Sequence, residues 1–405
     1  MKLLHTLTLR TLLLFVVLCV LLFPIPFSLL PSPGGSFLLP FTAGASETFG
    51  KMLGLLPENY EAFMGSDSAG MYVFVLLLAL CSLTGAAIWT IVNRSQQNEW
   101  RWLRIIGAYY LALMLLVYGF DKVFKHQFYL PEPNTLYMPV GQLSPDLLFW
   151  STAGTSWSYS FFTGLAEVIA ALLLLFRRTR GAGGILAAGI MLHVVLLNFS
   201  FDVSVKLLSL FLLLLAFVVA WPALKQLYTL FILRQTVQPV DEAPLFTKPR
   251  RTARIIIKTL LIAAFLCESL CGFIRTGNYN DDLVARPLLH GAYEVQLQIN
   301  QGNELVLPLT GNAESIRRIF IHRKGHLIFQ MNDERMISHT LVYDTLLHQL
   351  YLQRPKQAHT VWDFELRNDT LILKNNSTPE EIRAVARHWK ELPLLKRNWE
   401  WVSEE

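Results

Sequence analysis

Residues 205–222 read VKLLSLFLLLLAFVVAWP and carry a single charge, at Lys206. About 20 mostly apolar residues are enough for a helix to cross a bilayer, so this stretch predicts a membrane span. Hydrophobic residues make up 53% of the 405 residues and charged residues 16%, and the mean hydropathy is +0.39. A soluble chain usually carries about 25% charge. The composition therefore argues against a soluble enzyme and against intrinsic disorder.

Six further stretches are apolar enough to cross a membrane, so that seven spans are predicted. The spans cover about 9–30, 71–92, 104–120, 157–176, 183–200, 205–222 and 254–274. Because backbone groups must be satisfied internally in hydrocarbon, each span is expected to be helical. We interpret the first span as an uncleaved anchor and not a signal peptide, since its apolar run reaches Pro24 and beyond. The predicted fold class is an α-helical polytopic membrane protein.

Basic residues are divided unequally between the two sets of loops. The set that includes the N-terminus holds 15 Lys and Arg residues, and the other set holds 4. Since cytoplasmic loops are enriched in these residues, the N-terminus is predicted to be cytoplasmic in a bacterial inner membrane. Residues 275–405 are then periplasmic. No basic face is apparent on a soluble domain, which argues against a nucleic-acid partner.

The pattern changes at Gly291 to short alternating segments separated by turns. Hairpin signals occur at Lys324-Gly325 and Asn368-Asp369. The spacing predicts an antiparallel β-rich domain, a sandwich or a small barrel, and the Gly291-Ala292-Tyr293 opening resembles that of lipocalins. Residues 377–389 are predicted to form a C-terminal helix, because acidic residues occupy what would be its first turn. The predicted strands are 293–299, 304–307, 318–323, 326–331, 336–343, 348–352, 360–366 and 371–374.

The interior of this β-rich domain allows two interpretations. An eight-stranded barrel can hold one small ligand. Alternatively the core is filled, and the outer surface docks a periplasmic or membrane protein partner. The sequence leaves both open.

Several polar residues lie within or beside the spans. An ionisable group at the centre of a span costs roughly 2.5–3.5 kcal/mol on insertion scales, so it is expected to face the bundle interior with a partner. We predict that Glu167 pairs with His193, and that a second polar layer lies at the far mouth of the bundle. Glu268, near the end of the seventh span, is expected to snorkel or to cap. The candidate ligand-binding residues are Asp121, Lys122, Glu167, His193, Asn198, Asp202 and Lys206.

These residues also allow two interpretations. One is a polar pocket for a quinone, a small redox substrate or a proton, since a carboxylate and an imidazole in low dielectric can exchange protons. The other is a structural clamp between helices, with the charges at the mouth in water.

The sequence contains no recognisable motif for redox or metal chemistry. The four cysteines, Cys19, Cys81, Cys267 and Cys271, all lie in apolar runs, and there is no CxxC, haem-attachment motif, nucleotide-binding glycine loop or metal-ligand spacing. Cys267 and Cys271 share a helix face but are interpreted as small buried residues, because the i,i+4 spacing is poor for a disulfide. No autonomous catalytic motif is present, and a quinone is the one cofactor that the sequence leaves open.

Three short elements carry a family resemblance. They are Tyr118-Gly119-Phe120-Asp121-Lys122, Gly164-Leu165-Ala166-Glu167, and Asn198-Phe199-Ser200-Phe201-Asp202 with Lys206. Over about 104–222 the chain resembles the DoxX-like family, in a long form with extra N-terminal helices and an extracytoplasmic C-terminal domain. The resemblance implies a four-helix membrane module with Lys122 and Glu167 at family-like positions. It also implies a link to membrane oxidoreductase complexes.

Two functional hypotheses follow. The first is a membrane subunit that binds a quinone-like or small apolar ligand in support of an oxidoreductase or an envelope process. The second is a non-enzymatic envelope assembly or scaffold protein whose β-rich domain docks a partner. The predicted domains are a two-span region with an external amphipathic loop (1–103), the DoxX-like core (104–222), a cytoplasmic linker (223–253), the seventh span (254–274), and the periplasmic β-rich domain with its C-terminal helix (281–405).

Overall fold

A computed structural model describes most of the chain and divides it into two compact units. The helical unit comprises Met1–Gln127 and Trp157–Asp281, and the barrel unit comprises Phe128–Ser156 and Asp282–Glu405. Two predicted features, the end of the first span (23–30) and most of the linker (239–250), lie outside the described residues. The described residues are 2–22, 39–61, 65–93, 98–238, 251–300, 303–306, 315–354, 358–396 and 402.

Within these ranges the prediction of seven membrane-spanning helices is confirmed. The spans are α1, α3, α4 and α7–α10, and the chain is a multi-pass membrane protein. The helices are α1 (Lys2–Leu22), α2 (Leu39–Met52), α3 (Ala69–Val92), α4 (Glu99–Val123), α5 (Pro133–Leu136), α6 (Pro145–Thr155), α7 (Trp157–Leu175), α8 (Arg180–Ser200), α9 (Lys206–Phe231) and α10 (Arg251–Thr276).

Two spans, α1 and α9, extend furthest beyond a predicted end. α1 begins at Lys2, so that Arg10 lies inside the helix and not in a terminal loop. α9 continues through Pro222 to Phe231. A proline removes one backbone donor, but membrane helices tolerate it where neighbouring helices satisfy the freed group.

α4 is the central helix of the helical unit. It packs against α1, α7, α9 and α10 and is the most deeply buried of the spans in the described part of the chain. Its sequence explains this position, because small residues such as Gly107 and Ala112 and large ones such as Leu111 and Leu115 are buried around it. With α7, α8 and α9 it forms a four-helix core.

The barrel unit is built from antiparallel strands. β1 pairs with β9 along most of its length, and β3 to β9 pair in chain order. The described strands therefore close an eight-membered ring, while β2 extends the far end of β1 as a hairpin. The strands are β1 (Gly291–Asn300), β2 (Asn303–Val306), β3 (Ile316–His322), β4 (His326–Met331), β5 (Met336–Asp344), β6 (Gln349–Gln353), β7 (Thr360–Arg367), β8 (Thr370–Asn375) and β9 (Glu380–Arg387).

The prediction of a helix over 377–389 is wrong, since these residues contain β9. Ile382 and Ala384 are fully buried, and Arg383 between them is exposed. This is the period of two expected for a strand, not the period of 3.6 of a helix. β9 forms because the edges of β8 and β1 would otherwise expose unpaired backbone groups. Closure of the ring outweighs the local helix signal.

The interior of the barrel is filled with side chains. Inward-facing residues of all the ring strands join one buried cluster, which includes Ile319, Leu350, Trp362 and Leu373. Of the two interpretations of the interior, the packing favours the filled core.

One outer face of the barrel is covered by the segment between α4 and α7. Tyr137 stacks on Phe320 with ring centroids 5.7 Å apart. Leu130 and Leu136 pack against the buried cluster that contains Phe320 and Trp389. Residues 128–156, which lie inside the predicted DoxX-like core (104–222), thus belong to the barrel unit.

The strand assignment of β9 predicts alternating sensitivity to substitution. Ile382→Ala should lower the free energy of unfolding by about 2–5 kcal/mol, the usual cost of truncating a buried aliphatic side chain. Arg383→Ala should change it by less than about 0.5 kcal/mol, because that side chain is exposed. Thermal unfolding of the detergent-solubilised chain measures both. Equal losses from the two variants would contradict the strand.

Candidate functional site

Two glycines bring α4 and α7 unusually close together. A Cβ atom built on Gly164 would lie 2.5 Å from the carbonyl oxygen of Gly119, and one built on Gly119 would lie 3.0 Å from that of Gly164. Real Cβ atoms essentially never approach backbone to 2.5 Å. The two backbones therefore touch, as in other membrane helices that pack through small residues.

A buried ion pair lies one turn beyond this crossing. Lys122 Nζ is 2.7 Å from Glu167 Oε1 and 2.8 Å from Oε2, and both side chains are buried. Each charge follows its glycine by three residues, so glycine and charge share a helix face. The glycine contact and the ion pair therefore lie in the same interface between α4 and α7.

Two neighbours hold Lys122 in place. The hydroxyl of Ser160 donates a hydrogen bond of 2.6 Å to the carbonyl oxygen of Lys122. The ammonium group also lies 5.8 Å from the ring centroid of Tyr118, within cation–π range. The ammonium of Lys122 is therefore paired with a carboxylate of α7, and its backbone carbonyl accepts a hydrogen bond from a hydroxyl of α7.

The predicted pairing of Glu167 with His193 is wrong. His193 is exposed on α8, and Lys122 occupies both carboxylate oxygens of Glu167. Helical period explains the error, because a residue's depth along a span does not determine which side of its helix faces the core.

The predicted second layer forms only in part. Lys206 Nζ lies 2.6 Å from Asp202, whose side chain is exposed. Asp67, which the sequence analysis missed, accepts the backbone N–H of Lys206 at 2.7 Å and caps the start of α9. Asp121 is half-buried. Lys122, which was predicted to belong to this second layer, pairs with Glu167.

Asn198 is the remaining candidate from the sequence. It is buried in α8, and its Nδ2 atom has no hydrogen-bond partner among the described residues. A buried amide donor usually has a hydrogen-bond partner. A ligand with an acceptor atom would satisfy this donor.

A second buried ion pair lies at the opposite end of α4. Arg10 Nη2 is 2.9 Å from Glu99 Oε1, and Arg10 Nη1 donates to the carbonyl oxygen of Asn93 at 2.6 Å. The guanidinium carbon also lies 4.7 Å from the ring centroid of Trp89. Arg10 thus ties α1, α3 and α4 together. In the sequence, the signal for this contact is an arginine inside an apolar run, which by itself indicates only the orientation of the span.

The polar residues of α10 differ from expectation. Glu268, expected to snorkel or to cap, is buried. Cys267 is exposed and Cys271 is partly exposed, although both were interpreted as buried, and their Sγ atoms lie 3.0 Å apart.

A buried charge cluster holds the segment between α4 and α7 to the barrel. Glu132 Oε2 accepts a 2.9 Å hydrogen bond from His290 Nε2, and Oε1 lies 2.6 Å from Arg323 Nε. His322 approaches to 4.0 Å, and the guanidinium of Arg323 lies 3.8 Å over the ring centroid of Tyr129. The sequence carried no signal for this cluster, because its members are up to 191 residues apart.

Titration of this cluster follows from its burial and charges. Burial acts to raise the pKa of Glu132, but the hydrogen bond from His290 and the charges of His322 and Arg323 outweigh it, so the pKa lies below its usual range. Burial lowers the pKa of His322, and the charge of Arg323 lowers it further against the opposing effect of Glu132. The folded state therefore favours the carboxylate of Glu132 and the neutral imidazole of His322.

These features define a multi-pass helical membrane protein with a four-helix core and an antiparallel β-barrel unit. YwoB, an uncharacterized protein of Bacillus subtilis (strain 168), is 30% identical over 141 residues, which are 33% of this chain and 81% of YwoB. The chain therefore belongs to the family of YwoB. No family model matches the chain, and no solved structure matches it.

The glycine crossing predicts a selective loss of stability. Gly164→Ala should destabilise the helical unit by about 1–3 kcal/mol, because the new methyl group overlaps the carbonyl oxygen of Gly119. Gly189→Ala on α8 is the matched control, since a Cβ atom there meets nothing within 4 Å. Thermal unfolding in detergent compares the two. A control that loses as much stability as Gly164→Ala would argue against the crossing.

The Glu132 cluster predicts acid sensitivity of the barrel unit. Since the pKa of His322 is depressed in the folded state, its contribution to stability is complete above about pH 6.5 and declines as the pH falls toward the folded pKa. The contribution of Glu132 is complete above about pH 4.5 and is lost below it, as the pH falls through its folded pKa.

Hydrogen exchange of β1 and β3, corrected for intrinsic rates, measures this effect. Protection should fall as the pH is lowered from about 7 to about 3 in the wild type, and Glu132→Gln should remove the component below about pH 4.5. Glu391→Gln, at an exposed position of the same unit, should behave as the wild type. Identical acid profiles for wild type and Glu132→Gln would rule out the cluster as the cause.

Proposed function

We propose that the protein is a DoxX-like, non-enzymatic scaffold of the bacterial inner membrane whose barrel unit docks another envelope component. The observation that carries this proposal is the closed Lys122–Glu167 pair, in which one ammonium engages both carboxylate oxygens at a backbone contact. A pair of this kind acts as a clamp between helices. The filled barrel interior supports the same conclusion, because it leaves the outer surface as the means of recognition.

Chain connectivity also supports a scaffold. The chain passes between the two units after Gln127, Ser156 and Asp281. The first two connections continue directly from α4 and into α7, the helices that the ion pair joins. A partner bound to the barrel unit is thereby tied to the best-packed helices of the core.

The orientation proposed with this function follows from the loop charges. The N-terminus is cytoplasmic and the barrel unit is periplasmic, since 15 of the basic residues of the membrane part lie on the N-terminal side.

A second candidate is a subunit that binds a quinone-like or small apolar ligand in support of an oxidoreductase. Its supporting observation is the buried Nδ2 atom of Asn198, which has no hydrogen-bond partner in the described part of the chain. A carbonyl oxygen of such a ligand would satisfy this donor.

Single and double replacement of the ion pair separates these candidates. Glu167→Gln leaves the ammonium of Lys122 buried without its counter-ion and should cost about 3–5 kcal/mol. The double variant Lys122→Met with Glu167→Met should recover normal abundance in the membrane, because an apolar pair of similar volume replaces a buried ion pair at little or no cost.

Photo-crosslinking in cells provides the functional measurement. A benzoylphenylalanine side chain at Thr340 or Arg383, both exposed on the barrel, should give the same protein adduct in the wild type and in the double variant. The full chain is required, because residues 128–156 form part of the barrel unit and a 281–405 fragment would lack them. Absence of a specific adduct at both positions would count against the scaffold.

The same proteins test the second candidate with decylubiquinone as the probe. The scaffold predicts no saturable quenching of tryptophan fluorescence. Saturable quenching in the wild type that disappears with Asn198→Leu, while abundance is unchanged, would instead establish the ligand-binding subunit.

A further inference from the structure

The turn between β5 and β6 exposes two leucines to an unusual degree. Leu346 is 91% exposed and Leu347 is 62% exposed. They are adjacent, and they project from a tight turn between two paired strands. Scattered apolar residues are normal on a protein surface, whereas a contiguous apolar tip marks a surface that contacts another apolar phase.

Two backbone donors of this turn are satisfied within the protein. The carboxylate of Asp344 accepts the N–H groups of Leu346 and Leu347 through Oδ1, each at 3.0 Å. Backbone donors within a bilayer must be satisfied by the protein itself. The amides of Leu346 and Leu347 meet this requirement while their side chains stay exposed.

The leucines lie at the end of the barrel at which the chain arrives from the membrane spans. Because neighbouring strands are antiparallel, the start of β1 at Gly291 and the β5–β6 turn share one end of the ring. α10 ends 15 residues before Gly291, which limits this connection to about 50 Å.

A second connection leads to the same end. His290 and Arg323, which bind Glu132, flank the start of β1 and the β3–β4 turn. Glu132 follows Val123, the last residue of α4, by nine residues. Two spans thus tether this end of the barrel by short stretches of chain.

The end of the barrel reached by these two connections, the tethered end, carries exposed leucines as well as the polar β7–β8 turn Asn368–Asp369. At the opposite end, the described turns Asn332–Arg335 and Asn376–Pro379 consist of polar residues, charged residues and proline. At the tethered end, Leu288 and Leu366 are half-exposed beside the leucine turn. Lys324 is exposed in the neighbouring β3–β4 turn, where it suits an anionic headgroup. Glu365 at this end is paired with Arg367.

We propose that the turn Thr345–His348 inserts into the surface of the bilayer that the same chain spans. Leu346 and Leu347 enter the boundary between headgroups and acyl chains, and Lys324 remains among the headgroups. Lipid is favoured over a protein partner because the exposed leucines share the tethered end and because their amides are already satisfied.

Fluorescence quenching by lipid tests this proposal in the full chain reconstituted in phosphatidylcholine vesicles. The four native cysteines are replaced by alanine, and a nitrobenzoxadiazole label is attached at Leu346→Cys. Ser377→Cys, exposed in a turn at the opposite end, is the matched control. The label at 346 should emit at shorter wavelength and lose intensity with brominated lipid, and the label at 377 should do neither.

Three results would overturn the proposal. The first is a label at 346 that emits as in water. The second is a shift to shorter wavelength without quenching by brominated lipid, since this would indicate burial against protein, either a partner or a second copy. The third is an unchanged signal at 346 when Leu347→Asp is added, because a charge beside the label should withdraw the turn from the bilayer. Hydrogen exchange of β5 and β6 verifies that each variant keeps the strand pairing.

Discussion

A charge buried in a low-dielectric interior must have a partner, and the Lys122–Glu167 contact shows how the helical core meets this constraint. Its ammonium and carboxylate are 2.7 Å apart, and this distance is reached only because Gly119 and Gly164 let two backbones touch. The pair therefore determines which faces of α4 and α7 meet. Since α4 also packs against α1, α9 and α10, the position of this one helix organises the rest of the bundle.

The same constraint is met at two other places by different means. Arg10 joins three helices through Glu99, a backbone carbonyl and an aromatic ring. In the barrel unit, Glu132 gathers His290 and Arg323 and so fastens a separate stretch of chain to the barrel. In each case the buried charge specifies a contact between segments distant in sequence. Buried ion pairs add little net stability over an apolar alternative, so their contribution here is the selection of one arrangement.

The sequence predicted the elements better than their partners. Long apolar runs determine spans almost by themselves, because hydrocarbon permits few alternatives to a helix, and seven spans were predicted correctly. Most strands were also predicted, since alternation marks a half-buried surface. The prediction of a helix over 377–389 was wrong because its acidic start is also compatible with a strand, and β1 and β8 each have an edge that β9 pairs with. The predicted pairing of His193 with Glu167 was wrong because a mid-span position does not reveal which side of the helix faces the core.

The sequence by itself determined that this is a multi-pass membrane protein with a β-rich C-terminal part, because hydropathy and period act locally. Its Gly-x-x-Lys and Gly-x-x-Glu spacings even contained the seam between α4 and α7. Only the tertiary structure decided that Lys122 is the partner of Glu167, that β9 closes the barrel and that residues 128–156 belong to the barrel unit. These outcomes depend on contacts between residues far apart along the chain, and no local pattern encodes which of several compatible partners a buried charge or an open strand edge will meet.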